Sequence, residues 1–235
     1  MWTVVCIGGG RFGTKAAEEA RREARVLVVD PAQDCPARSI ITRSAERPEE
    51  ILSAKVGEVL LLRGDGISCL LNILASWTPD LVVPAMRGHM AALLAVRHAS
   101  RSGAALAPFP NALSALLEKL PERWVKLVDA ENGVVVTSHM EDGGACIEDC
   151  MQPPVCPITG KERLLPMHQL VSSALGGTMD STAVLVTASL GTVGGVPGRS
   201  LRSMLELIDG LDHGMTVGIS TTCRCHAVTN LMHLE

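Results

Sequence analysis

Apolar and polar positions alternate along this chain in blocks that switch period several times. Residues 3–7, TVVCI, form a short β-branched run that stops at three glycines. Residues 11–23 are rich in Ala, Glu and Arg and read as a helix. RVLVVD at 25–30 is nearly continuous in apolar residues, as strands covered on both faces are. The alternation then repeats. A helix is expected at 47–55, a strand at 58–65, a helix at 67–77, a strand at 80–85, a helix at 88–100 and a short strand at 104–109. Strand–helix alternation of this kind predicts an α/β fold over residues 1–115, a doubly wound parallel sheet.

The pattern changes after residue 115. WVKLVDAENGVVVTSHM at 124–140 is two apolar strands about Asn132-Gly133, a strong hairpin signal. A proline-stiffened cysteine loop follows, then a helix near 167–175 and a strand at 182–190. A glycine-rich loop at 191–198, a helix and a strand at 214–223 ending in CRCH complete the reading. Residues 116–235 are therefore expected to form a smaller, Cys-rich α+β unit. The 191–198 loop reads either as a nest of N–H groups for an anion or as a plain glycine turn. It lacks the Lys-Ser/Thr of a P-loop.

Gly8, Gly10 and Gly13 form a G-x-G-x-x-G between the first strand and the first helix. Gly8 permits the tight turn, Gly10 lets the backbone approach a pyrophosphate, and Gly13 lets helix and strand pack closely. The helix N-terminus faces the anion with free N–H groups. Arg11 and Phe12 lie in the same turn and count with it as cofactor-binding candidates. Asp30 ends the second strand, where an acid can accept hydrogen bonds from a ribose. Arg87 and His89 follow the strand at 80–85, at the end where doubly wound folds place their ligands. They read as cofactor or substrate contacts, or as solvated residues in the first turn of a helix.

These residues resemble the Rossmann-fold NAD(P)-binding family over roughly the first 110 positions. The likeness is greatest to the regulatory nucleotide-binding domains of potassium transport and the dehydrogenase domains of siroheme synthesis. The resemblance implies NAD contacts at Gly8, Gly10, Gly13 and Asp30, with an acid at 30 favouring NAD over NADP. S-adenosylmethionine and adenine nucleotides, read by similar loops, remain alternatives. The C-terminal half matches no family by its motifs.

Cys146, Cys150 and Cys156 are spaced C-x3-C-x5-C, and Cys223, Cys225 and His226 stand in a second cluster. Thiolates of this density in a reducing compartment point to zinc or an iron–sulfur cluster. Three ligands from the loop and one from the C-terminal motif would make the four such a centre needs. Reduced thiols without metal are the plainer reading. Cys6 and Cys69 read as small core residues.

Composition narrows the classes. Net charge is −4, with three Trp, two Phe and no Tyr. Neither a basic surface nor stacking platforms favour nucleic acid. The chain opens with no basic segment ahead of a long apolar run, so a cytoplasmic protein with no membrane segment is expected. No Ser–His–Asp set or carboxylate pair marks a catalytic residue. Three functions fit these features. The first is an NAD-dependent oxidoreductase with a Cys-ligated centre acting on an unidentified small molecule. The second is a nucleotide-binding regulator or redox sensor, and the third a metal- or cofactor-maturation protein. The 124–140 hairpin offers a sheet edge for a homodimer.

Overall fold

The computed structural model describes every residue except 142, 143, 145, 148, 149 and 151. The acids at 142, 148 and 149 in the cysteine loop therefore lie outside the described residues. By its contacts the chain divides into residues 1–97 with 188–203, and residues 98–187 with 204–235. The sequence reading placed a single break after residue 115.

The first unit carries β1 (Trp2–Ile7), α1 (Arg11–Ala20), β2 (Ala24–Asp30), β3 (Arg43–Ala45), β4 (Val59–Arg63), α2 (Gly66–Ser76) and β5 (Leu81–Pro84). These strands make a five-stranded, all-parallel sheet in the order β3-β4-β2-β1-β5. The apolar runs explain it: Val4, Val5 and Cys6 of β1 and Val26 to Val29 of β2 are buried, as a sheet covered on both faces requires. Helix α1 buries Gly13, Ala17 and Ala20, a narrow stripe of small residues that lets it lie close to the sheet. Helix α2 starts at Asp65, whose carboxylate accepts the Ser68 N–H at 2.9 Å. It buries Ile67, Leu70, Leu71, Ile73 and Leu74. The helix expected at 47–55 is a 3-10 turn, Pro48–Ser53.

Helix α3 (Met90–Arg101) is followed by β6 (Leu106–Pro108), α4 (Leu113–Leu117), β7 (Val125–Asp129), β8 (Val134–Ser138), α5 (Met167–Gly176) and β9 (Ser181–Val186). Then come β10 (Ala188–Leu190), β11 (Val193–Gly195), α6 (Gly198–Asp209), β12 (Thr216–Thr222) and β13 (His226–Leu234). The single strand expected at 182–190 is two strands in different sheets. β9 runs parallel to β12, whereas β10 pairs with β11. The glycine-rich loop closes the β10–β11 hairpin, with Leu190 opposite Val193. Val196 exchanges backbone hydrogen bonds of 2.8 Å with Val82, and Leu190 and Val193 join the core of the first unit. The loop is thus a structural return to the parallel sheet.

The second unit is built on a six-stranded mixed sheet, β7-β8-β13-β12-β9, with β6 also on β13. The β7–β8 hairpin forms about Asn132-Gly133 as its sequence predicts. β13 follows the strand read as the last one. Its burial alternates through Ala227, Thr229 and Leu231, an alternation that the polar Thr229 hides in the sequence. Helix α5 lays Met167, Val171, Ala174 and Leu175 on this sheet. Burying a side chain such as Leu175 contributes about 1.5–3 kcal/mol.

Candidate functional site

Two places carry the candidate residues, one in each unit. In the first, β1 runs into the glycine turn. Gly8 has φ +111°, a conformation that favours glycine, and a Cβ there would stand 2.3 Å from the Ala85 carbonyl oxygen. A Cβ on Gly13 would stand 1.9 Å from the Gly8 carbonyl oxygen, so helix and turn meet backbone to backbone. A Cβ on Gly10 would meet nothing within 4 Å. Gly10 is the N-cap of α1. Its surroundings leave room for a ligand to approach the backbone.

Asp30 ties this turn together. One carboxylate oxygen accepts the Gly9 N–H at 2.7 Å and the other accepts the Ala32 N–H at 2.8 Å. A carboxylate has about four acceptor positions, so capacity for a hydroxyl donor remains. Arg11 and Phe12 are exposed in the first turn of α1, Phe12 at 66%. Arg87 is exposed and His89 half-buried. Both precede α3, which begins at Met90, so the helical first turn expected for them is not formed. The neighbouring Ala85 packs on Gly8 and Gly13, which puts this segment beside the glycine turn. Chain order leaves β1 in one direction for β2 and β4 and in the other for β5. The C-terminal ends of β1 and β5 therefore flank the topological switch point, where open α/β sheets bind ligands. Sequence reasoning overlooked Cys35. Its Sγ fills the space beside Gly9, and burial followed by the Asp30 charge raises its thiol pKa.

The second place gathers the cysteines. Residues 223–226 are a turn between β12 and β13, closed by Cys223 N–H to the His226 carbonyl at 2.9 Å. Cys223 and Cys225 are therefore not alternate residues of one strand, and their relation comes from the turn. The Cys225 and His226 N–H groups both donate to Cys223 Sγ at 3.3 Å, and His226 Nδ1 lies 3.6 Å from it. The Cys225 thiol and these donors lower the Cys223 pKa. Cys225 is pushed up, first by its hydrogen bond to Cys223 and then by burial. Cys223 is therefore the more acidic thiol of the two.

The proline loop supplies the other thiols. Residues 155–162 fold back on themselves through the Val155–Glu162 bridge. Cys156 N–H donates to the Lys161 carbonyl and the Gly160 N–H to the Cys156 carbonyl. Thr159, through its hydroxyl and its N–H, holds the Cys156 thiol down at about 7. Cys146 is raised, by burial and then by neighbouring Cys150. Gln152, at φ +54°, accepts the Arg224 N–H at 3.0 Å, and the Met167 N–H donates to the Arg224 carbonyl. These bonds fasten the proline loop and α5 to the 223–226 turn.

Arg163 stands among these thiols. It is 6% exposed, and its charge acts on Cys146, Cys156 and Cys225. Its Nη1 has no hydrogen-bond partner among the described residues. A guanidinium keeps its charge in proteins, and burying it without an anion is costly. Cys146, Cys150, Cys156, Cys223, Cys225 and His226 thus share one neighbourhood. Among the described residues no three His, Cys, Asp or Glu side chains stand in metal-binding geometry. Cys6 is buried in β1, its thiol pushed up to about 12 by burial, and Cys69 is half-buried on α2.

No helix among the described residues is long and apolar enough to cross a membrane. A family model described as "Uncharacterized protein, C-terminal domain" matches residues 91–235. The chain is 29% identical over 226 residues to a protein of Archaeoglobus fulgidus named "Uncharacterized protein", covering 95% of this chain and 96% of that one. No solved structure matches the chain.

Proposed function

The chain belongs to the family defined by that C-terminal domain, and from this premise we propose a dinucleotide-binding oxidoreductase whose second unit holds a cysteine-ligated metal ion or iron–sulfur cluster. One observation carries the reading: five thiols from two distant segments fall in one neighbourhood, and the charge of buried Arg163 acts on three of them, Cys146, Cys156 and Cys225. The matched segment contains all of them. Soft thiolate donors of this number select zinc or iron–sulfur centres. Cys146, Cys150 and Cys156, with one of Cys223, Cys225 and His226, are the ligands proposed. Two of the thiols, Cys156 and Cys223, have lowered pKa values. Deprotonation of these two for a metal therefore costs little at neutral pH, whereas Cys146 and Cys225 are raised.

The first unit is read as a Rossmann-like, doubly wound domain. Its strand order, the glycine turn and Asp30 support NAD as its ligand. Gly8, Gly10, Arg11, Phe12, Gly13 and Asp30 would bind it, with Arg87 and His89 bordering it. Bound there, NAD would supply or accept a hydride, and a thiolate centre would handle electrons or polarise a small substrate. A second reading follows from the lowered Cys223 thiol hydrogen-bonded to the raised Cys225 thiol. That pair suits a thiol redox switch in a regulatory module without turnover.

NADH oxidation with ferricyanide as acceptor, followed anaerobically, tests the enzyme reading. Each NADH loses a hydride's two electrons, and two ferricyanide ions each take one. We expect turnover in the natural chain. Cys156→Ser should lose turnover while still quenching NADH fluorescence on binding. NADH binding without turnover in the natural chain moves the assignment to the regulatory reading. The absence of NADH binding contradicts the dinucleotide.

A further inference from the structure

We propose that Cys223, and not Cys225 or His226, is the C-terminal ligand of the thiolate centre. This rests on the reading above and deepens it, by assigning one ligand where three residues are candidates.

The turns tell the sulfurs apart. A metal-bound thiolate is an anion that accepts hydrogen bonds, and N–H groups aimed at a sulfur prepare it for that role. Residues 223–226 aim two of them. The Cys225 and His226 N–H groups both donate to Cys223 Sγ at 3.3 Å. The His226 carbonyl closes the turn behind them, accepting the Cys223 N–H at 2.9 Å and the Thr222 hydroxyl at 3.0 Å. The proline loop repeats the device. There the Gln152 N–H donates to Cys150 Sγ at 3.4 Å, and the Thr159 N–H donates to Cys156 Sγ at 3.5 Å. In each case the donor stands two or three positions after the cysteine. Cys223 thus shares with Cys150 and Cys156 a backbone feature that three separate turns build.

Gln152 joins the two segments. Its N–H serves Cys150, and its side-chain oxygen accepts the Arg224 N–H at 3.0 Å, in the middle of the 223–226 turn. The other two candidates are engaged differently. Cys225 is 1% exposed, and its thiol is hydrogen-bonded to the Cys223 sulfur. His226 opens β13, where it pairs with Ser138, and its Nδ1 lies 3.6 Å from the same sulfur. Both side chains therefore meet Cys223. Of the two thiols in the turn, Cys223 is the half-buried one that an incoming ion can reach.

Cobalt(II) titration of the reduced full chain, without oxygen, tests the assignment, because thiolate-to-cobalt absorption grows with each sulfur bound. We expect about one equivalent to saturate the natural chain. Cys225→Ser should keep the absorption per bound ion. Cys223→Ser should lose about a quarter of it, one thiolate of four, or fail to bind cobalt. Circular dichroism verifies the fold of each variant, and alanine replaces serine in a variant that does not fold. A natural chain without thiolate-to-cobalt absorption overturns the inorganic centre and this assignment with it. Absorption that survives intact in Cys223→Ser, or falls in Cys225→Ser, overturns the assignment and leaves the centre standing.

Discussion

Cys223 and Cys225 differ in acidity although they sit two positions apart. The turn aims two N–H groups at one sulfur and leaves the other as a donor. A thiol whose folded pKa is lowered adds stability above the ordinary thiol range. That stability is lost as pH falls through the lowered value. Iodoacetamide at about pH 6, below the ordinary thiol range near 8.5, should therefore label half-exposed Cys223 and spare Cys225. Peptide mass spectrometry reads the result. Labelling of Cys223 that begins only above about pH 8 would contradict the lowered Cys223 thiol. The residue types were legible in the sequence, because a C-x-C-H run stands out. Their difference in acidity was not, because it depends on which backbone N–H groups the turn presents. Arg163 gave no signal either, since a lone arginine in a proline-rich loop reads as solvated.

The glycine turn between β1 and α1 was legible because its requirements are local: a strand, a fixed glycine spacing and an acid at the next strand end. Gly13→Ala should destabilise the first unit by about 1–3 kcal/mol, since its Cβ meets backbone that cannot move aside alone. Gly10→Ala should cost about 1 kcal/mol or less, because its Cβ meets nothing and only the N-cap preference changes. Urea midpoints of the two variants give the comparison. Equal midpoints would mean that the close contact of helix and turn is not what Gly13 serves. The β10–β11 hairpin was not legible, because its place depends on Val82, more than a hundred positions away. β13 was missed for a different reason. Its polar residues alternate with buried ones, and Thr229 is itself buried through its hydroxyl bond to Ser220.

Across the whole molecule, chemistry and architecture are divided between the units. The parallel sheet offers a turn, an acid and an open switch point, features shared by many nucleotide-binding proteins. The second unit carries the clustered cysteines and Arg163. The family match covers that unit's residues from 98 onward. β7 at the edge of its sheet leaves Leu127 and Val128 exposed, and homodimerisation through that edge belongs with the proposal. The central claim is that the thiols hold an inorganic centre. Metal and sulfide analysis of anaerobically purified chain, with a visible spectrum, tests it most directly. We expect about one centre per chain, as zinc or as iron with sulfide and visible absorption. We also expect loss of that centre in Cys156→Ser with Cys223→Ser. A folded, colourless chain free of metal would contradict the claim.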